Sequence, residues 1–495
     1  MITVERRDDF HLKISRVLRE GMTHHLDWFL FVPGELGLTA QVISEDAFYH
    51  GAIQVKRTYY SDQHHLPLVL SRLASRGKLG SEQYRLSLSL YAYQYAVALE
   101  RATQRLLDTL REVREVDQRR GRRQASAMVS GNDATSQAPP AVGNDAGKPT
   151  DELSQRLRSQ LEELCELALD ILRRLRRNRP GEDKLHRYYA NIDNYLSWLT
   201  EQQLLALVAH LPAGKAYQES CERLLAIARA EGRHRERAEY NSERVTRDPM
   251  RMSNKMRLLR RLIEYPVTLK QRNRELGGAE QKAVKGLAAA VVMAFVSVGL
   301  LRARATLGDI TVLFALTVAV LYAVREVFKD DLRNTLWRLL RKGRPKWRRQ
   351  YLDATSNALV GRQLEWFDYT RFSRLDDQVR RVRKRNVAQR EELVMHYRSR
   401  SRMSPTRFLS GYEKTRETLS LDLAPLARLM DKGTHHVYWL KEGQVSREAV
   451  ERRYLLNLVI RARDGGETEL QRWKIVMSRS RIVDVEKVHQ EGGDA

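Results

Sequence analysis

Two uncharged apolar runs only eight residues apart constrain this chain more than any other feature. Gly286–Leu301 (GLAAAVVMAFVSVGLL) has no charge in 16 residues, and Ile310–Val324 (ITVLFALTVAVLYAV) has none in 15; Arg302–Asp309 lies between them. A membrane-crossing helix needs about 20 mainly apolar residues, and about 17 at the least. Both runs therefore need their flanks: Ala283 and Val284 with Lys285 snorkelling, and Ala305–Leu307 with Asp309 near the interface. Gly286, Ala290 and Ala294 recur at four-residue spacing, as do Ala315, Ala319 and Ala323. Such stripes let helices approach closely in lipid, so these six are the expected transmembrane packing residues.

Lysine and arginine crowd both outer flanks, from Arg257 to Lys285 and from Arg325 to Arg349, whereas the loop offers only Arg302 and Arg304. By the positive-inside rule this describes a multi-pass protein of the inner (plasma) membrane of a bacterial-type cell, both termini cytoplasmic. The competing reading is a central hairpin buried in a soluble helical protein, because apolar runs of about 10–14 residues are usually core. Leu332–Arg349 reads as an interfacial helix. Leu332, Leu336, Leu339 and Leu340 share a face, and Trp337 and Trp347 suit the headgroup zone. Arg338, Arg341, Lys342, Arg344, Lys346, Arg348 and Arg349 are then the expected anionic-lipid-binding residues. Met252–Ile263 shows a weaker version of the same pattern. A solvated basic face or a nucleic-acid patch is the alternative.

The rest reads as mainly α, with small β-rich parts at the N- and C-termini. Residues 1–76 are mixed α/β: Phe10, Leu12 and Ile14 alternate with polar neighbours and His25–Pro33 is a short apolar run, a strand pair turning near Arg19–Thr23. Residues 81–243 form a helical bundle or coiled-coil region. One seam runs Leu88, Ala92, Tyr95, Leu99, Ala102, Leu106, Leu110, Val113. A second runs Leu153, Leu157, Leu161, Leu164, Ala168, Ile171, Leu175. Between them residues 119–150 are read as a disordered linker, arginine-dense at first and then rich in Ser, Ala, Gly, Asn and Pro. Two seams joined by such a linker suit an antiparallel hairpin or two ordinary bundle helices. Thr200 with Gln203 marks a capping box and Asp248–Pro249 a further helix start. Residues 250–349 hold the two-helix transmembrane hairpin with its basic flanks, 350–434 a charged helical region, and 435–489 a β-rich end. In the last, Asp464–Gly465–Gly466 signals a hairpin turn. The two β-rich ends could meet in one sheet.

A formal net charge of +25 favours polyanionic partners, lipid or nucleic acid. Cys165 and Cys221 are too few for a disulfide framework or a cysteine-rich zinc site, and Met1–Glu20 has no apolar signal segment. No phosphate loop, HExxH, GxSxG, GxGxxG or CxxC pair occurs. The doublets His24–His25, His64–His65 and His435–His436 each offer at most one ligand to a metal if they lie on strands, so no metal or cofactor site is assigned. Arg-x4–6-His spacing, carried by some helical ribonucleases, occurs at Arg19/His24, Arg179/His186, Arg229/His234 and Arg390/His396, as often as chance gives in so arginine-rich a chain. The aromatics of Trp366–Arg374 are read as packing anchors rather than base-stacking platforms. These observations point to a membrane-anchored, cytosol-facing scaffold or regulatory protein with no enzymatic motif, which binds protein partners or itself. Two alternatives stand beside it. One is a membrane-tethered nucleic-acid binder, suggested by the basic stretches Gln118–Arg123, Arg173–Arg179 and Arg380–Arg385. The other is an oligomeric, membrane-perturbing effector, suggested by the alanine stripes.

Overall fold

Burial that alternates residue by residue, the mark of a strand with one face on a core, runs through much more of this chain than its apolar pattern announces. The computed structural model describes residues 2–60, 81–129, 148–211, 215–307, 312–341, 343–383, 392–405, 413–431, 433–441 and 444–488. It contains 52% helix and 31% strand, so the expected mainly-α class is corrected to mixed α and β. Two units divide the chain, one formed by residues 1–60 with 269–495 and the other by residues 61–268.

The first unit begins with β1 (Thr3–Arg6), β2 (His11–Arg19), β3 (Thr23–Pro33), α1 (Glu45–Ala52) and β4 (Ile53–Tyr60). Ser44 caps α1, its hydroxyl accepting from the Ala47 amide at 3.2 Å. The chain then leaves for the helical unit and returns at Leu269, whose amide donates to the Arg57 carbonyl at 3.0 Å.

The helical unit comprises α2 (Ser81–Val129), α3 (Lys148–Arg177), α4 (Asp183–His210), α5 (Lys215–Arg237), the short α6 (Glu243–Thr246) and α7 (Pro249–Glu264). Both leucine seams are buried in one core, with Leu88, Leu99, Leu106, Leu157, Leu164 and Leu175 at 2% exposure or less. α2 and α3 run antiparallel, since the Tyr91 hydroxyl donates to the Ile171 carbonyl at 2.8 Å and Thr109 donates to Gln160 at 3.1 Å. Of the expected linker, residues 119–129 belong to α2, and 130–147 lie outside the described residues. Thr200 caps nothing. It sits inside α4, donating to the Leu196 carbonyl at 2.8 Å and bonding Tyr95 at 2.5 Å. Asp248 does cap α7, accepting from the Met250 amide at 2.9 Å. α7 buries Met256, Leu259 and Ile263 in the bundle, which corrects the interfacial reading of Met252–Ile263.

After α7 come β5 (Lys270–Glu275), α8 (Gly278–Leu307), α9 (Val312–Arg341), β6 (Trp347–Leu352), β7 (Leu359–Arg371) and α10 (Asp377–Arg383). The chain continues through β8 (Glu392–Met403), β9 (Lys414–Asp422), α11 (Ala424–Ala427) and β10 (Thr434–Lys441). It ends with β11 (Gln444–Glu451), β12 (Tyr454–Asp464), β13 (Glu467–Met477) and β14 (Ile482–Val488). The expected charged helical region 350–434 is therefore mostly sheet. A four-stranded sheet, β1-β2-β9-β4, packs on an eight-stranded antiparallel sheet, β14-β13-β12-β3-β8-β7-β6-β5. Leu12, Ile14, Leu419 and Leu421 of the first meet Trp28, Leu30, Phe367, Tyr397 and Leu458 of the second in a common core. β10 and β11 pair only with each other. β2 and β3 are not the expected hairpin partners: they belong to different sheets, and β3 instead lies between β8 and β12. The first and last parts of the chain thus share one sheet. The opposite face of the large sheet carries Phe29, Phe31, Val394 and Val459, covered by Leu375 and Val379 at α10.

Candidate membrane-binding surface

At one edge of the large sheet, β5 and β6 pair in register from Lys270–Leu352 to Glu275–Trp347, and the Leu276 amide donates to the Lys346 carbonyl at 2.9 Å. The described residues between them form a helical excursion, α8 and α9. Gly277, at φ 99°, lets the chain turn from β5 into α8, where an added Cβ would meet Arg341 at 2.7 Å. Gly343, at φ 77°, makes the return turn. At this foot the Arg341 guanidinium lies 5.0 Å over the Trp337 ring and Arg344 pairs with Glu280 at 3.2 Å.

α8 and α9 pack against each other along Val284, Ala288, Val292, Val296 and Ala303 of α8. Gly299 also faces α9. A Cβ there would come within 3.2 Å of Leu321. The opposite surface is bare and apolar: Phe295 is 76% exposed, Leu301 69% and Leu316 62%. Among the described residues only Gly278–Ala305 is a helix long and apolar enough to cross a membrane, and 22% of its apolar window is buried. The expectation of a two-helix transmembrane hairpin is corrected accordingly. The described apolar part of α9, Val312–Val324, ends at Arg325 and Glu326. Those 13 residues make about 20 Å of helix, against the roughly 30 Å of hydrocarbon to be crossed.

Comparison with known protein families, with curated proteins and with solved structures finds no significant match for this chain.

The sequence-derived site residues are scattered by this geometry. Gly286, Ala290, Ala294, Ala315, Ala319 and Ala323 all face outward, and a side chain at Gly286 would meet open space. Helix contact is made two residues along, on the opposite side of the helix, by the valines and Ala288. Of the expected lipid-binding cations, Arg341 and Arg344 stand at the foot of the excursion, while the side chains of Arg338 and Lys342 lie outside the described residues. Lys346 bonds Glu45 at 2.5 Å and Asp368 at 2.9 Å. Arg349 is buried, bonding Glu365 at 3.1 Å and Tyr49 at 3.2 Å, and Trp347 stacks on Tyr49 at 3.6 Å. The interfacial helix thus stops at Arg341, and Trp347, Arg349 and Tyr351 alternate inward on β6 while Arg348 points to the other face.

Two buried polar clusters escaped the sequence reading. Between the sheets, Glu417 accepts from Arg16 at 3.0 Å and from Arg57 at 2.5 Å. Arg57 also donates to Gln363 at 2.6 Å and to Ser401. Tyr351 and Tyr397 link Gln363 onward to Glu365 and Arg349. Burial alone would raise the Glu417 pKa, but Arg16 and Arg57 outweigh it and hold the carboxylate at about 2. Enclosed between the sheets, this network ties them together. In the bundle, Asp193 accepts from Arg176 at 3.2 Å, His234 at 2.8 Å and Tyr240 at 2.8 Å. Arg176 also grips Glu231 at 3.0 and 2.6 Å. Burial opposes the charge on Asp193, yet His234 and Arg176 keep its pKa below the ordinary value. A histidine on a carboxylate is the pairing a general base uses, but here every acceptor is already committed to holding α3, α4 and α5 together.

Of the distal basic stretches, the side chains of Gln118–Arg123 lie outside the described residues, and several arginines of the other two are engaged internally. Arg174 pairs with Asp170, Arg179 contacts His186 at 3.2 Å, and Arg380 pairs with Asp377. Arg383 is buried over Phe31. His24 points inward to Asp464 at 2.7 Å, and His25, its neighbour, points to the opposite face of the sheet.

Proposed function

We propose that this protein is a membrane-anchored scaffold or regulatory protein, held by insertion of α8 into the hydrocarbon of a bilayer. Both β-rich ends of the chain belong to the unit at the foot of that helix, so both lie on the same side of the membrane. The surrounding cations favour the cytoplasmic side. The observation that carries the reading is the bare apolar surface of α8. A core helix of a soluble protein is wrapped by its neighbours, and monomeric soluble proteins rarely leave contiguous apolar patches beyond a few hundred Å². Lys282 and Lys285 near the start of α8, with Trp337 and Arg341 beside it, suit the headgroup boundary. The scaffold role rests on folded units whose buried polar clusters are committed to holding them together.

Alkaline-carbonate fractionation of the full chain tests the anchor. The wild type is expected in the pellet, and Phe295→Asp/Val298→Asp, which puts two charges on the bare face, in the wash. Wild-type protein in the wash would remove the anchor altogether.

A further inference from the structure

The face of the large sheet not turned toward the four-stranded sheet carries arginine in register across successive strands. One row runs Arg274, Arg348, Leu364, Arg400, His25, Arg463, each directly opposite the next on β5, β6, β7, β8, β3 and β12. The neighbouring row runs Arg272, Gln350, Arg362, Arg402, Thr23. Six strands at about 4.8 Å spacing make this a band about 24 Å wide. Like charges directly opposite destabilise a sheet, yet Arg274 faces Arg348 and Arg362 faces Arg402. Among the described residues, Arg272, Arg274, Arg362, Arg400 and Arg402 have no acidic partner. The carboxylate of Asp27 on this face is already held by Arg461 at 2.8 Å. Burial and then the charges of Arg400 and Arg463 depress the His25 pKa, Asp27 opposing them, as expected in a positive field.

From this placement we infer that the arginine band docks on anionic lipid headgroups of the membrane that α8 enters, an inference that rests on the insertion proposed above. The foot of the helical excursion shares this face. The Trp366 indole, in the strand position opposite Arg398, donates to the Gly343 carbonyl at 3.1 Å, and Arg274 precedes the first residue of α8 by four positions. A phosphate-bearing surface beside the inserted helix supplies the counter-charge that the sheet lacks.

Flotation of the full-length protein with vesicles of phosphatidylcholine alone, or with roughly a third phosphatidylglycerol, separates the two ideas. Arg362→Gln/Arg400→Gln/Arg402→Gln should float on phosphatidylcholine as the wild type does, and lose roughly tenfold of the preference for anionic vesicles. The corresponding Lys variants should keep that preference, and unfolding curves matching the wild type show the fold is intact. Failure of the wild type to float on phosphatidylcholine overturns the insertion. Undiminished anionic preference in the Gln variant overturns the band alone. A Gln variant that instead loses binding to a single-stranded or duplex oligonucleotide, with lipid preference unchanged, makes the face a nucleic-acid surface and likewise overturns the inference.

Discussion

Glu417 is enclosed between two sheets with Arg16 and Arg57 as its counter-charges among the described residues, so its replacement leaves two guanidinium groups facing each other in a dry interior. Glu417→Gln is expected to cost about 3–5 kcal/mol, read as a fall in the urea midpoint. A change within error would show that water reaches the network. His396 behaves differently. Stacked on Phe29 at 4.3 Å, it has its pKa pushed by burial from 6.5 down to about 4. Folding thus favours the neutral ring, and its contribution is complete above pH 6.5 and lost as the pH falls toward 4. Glu417, ordinarily at 4.5 and here at about 2, contributes stability that is complete above 4.5 and lost between 4.5 and 2. Acid should therefore weaken the protein in two stages. His396→Phe, which keeps the stack and removes the proton site, should flatten the upper stage. Identical urea midpoints for wild type and variant across pH 6.5 to 4 would refute this assignment.

At the scale of elements, Gly299 and Gly286 are both glycines of α8 with opposite surroundings. Gly299→Leu meets Leu321 and is expected to cost about 1–3 kcal/mol of α8–α9 packing, whereas Gly286→Leu fills open space. Protease sensitivity of the pair in detergent should rise for the first and stay level for the second. Helices were the legible part of this chain, because leucine at a three-to-four spacing survives as a seam wherever the core is apolar: Leu88 to Val113, Leu157 to Leu175. Strands β6 to β9 were not legible, for a physical reason. Their inward positions include Arg349, Gln363, Glu365, Ser399, Ser401, Thr415 and Glu417, all buried and polar. The alternation that marks a half-buried strand is an alternation of burial, and here it is not one of hydrophobicity. The charged stretch 350–434 therefore reads as helical from its sequence. The stripe residues Gly286, Ala290 and Ala294 failed similarly, since spacing locates a face without naming what lies against it.

At the scale of the whole chain, both large insertions start and finish at neighbouring points of the sheets: the helical unit between Tyr60 and Leu269, and the apolar helices between Leu276 and Lys346. The second has a practical consequence. Because the backbone is already joined across the gap by a hydrogen bond, the two helices are detachable. Replacing residues 277–345 with Asn-Gly, the two-residue turn that suits antiparallel neighbours, should yield a detergent-free protein of unchanged near-ultraviolet circular dichroism, eluting from a sizing column as a discrete species. Aggregation of that shortened chain would mean that the greasy helices brace the sheet as well as tether it.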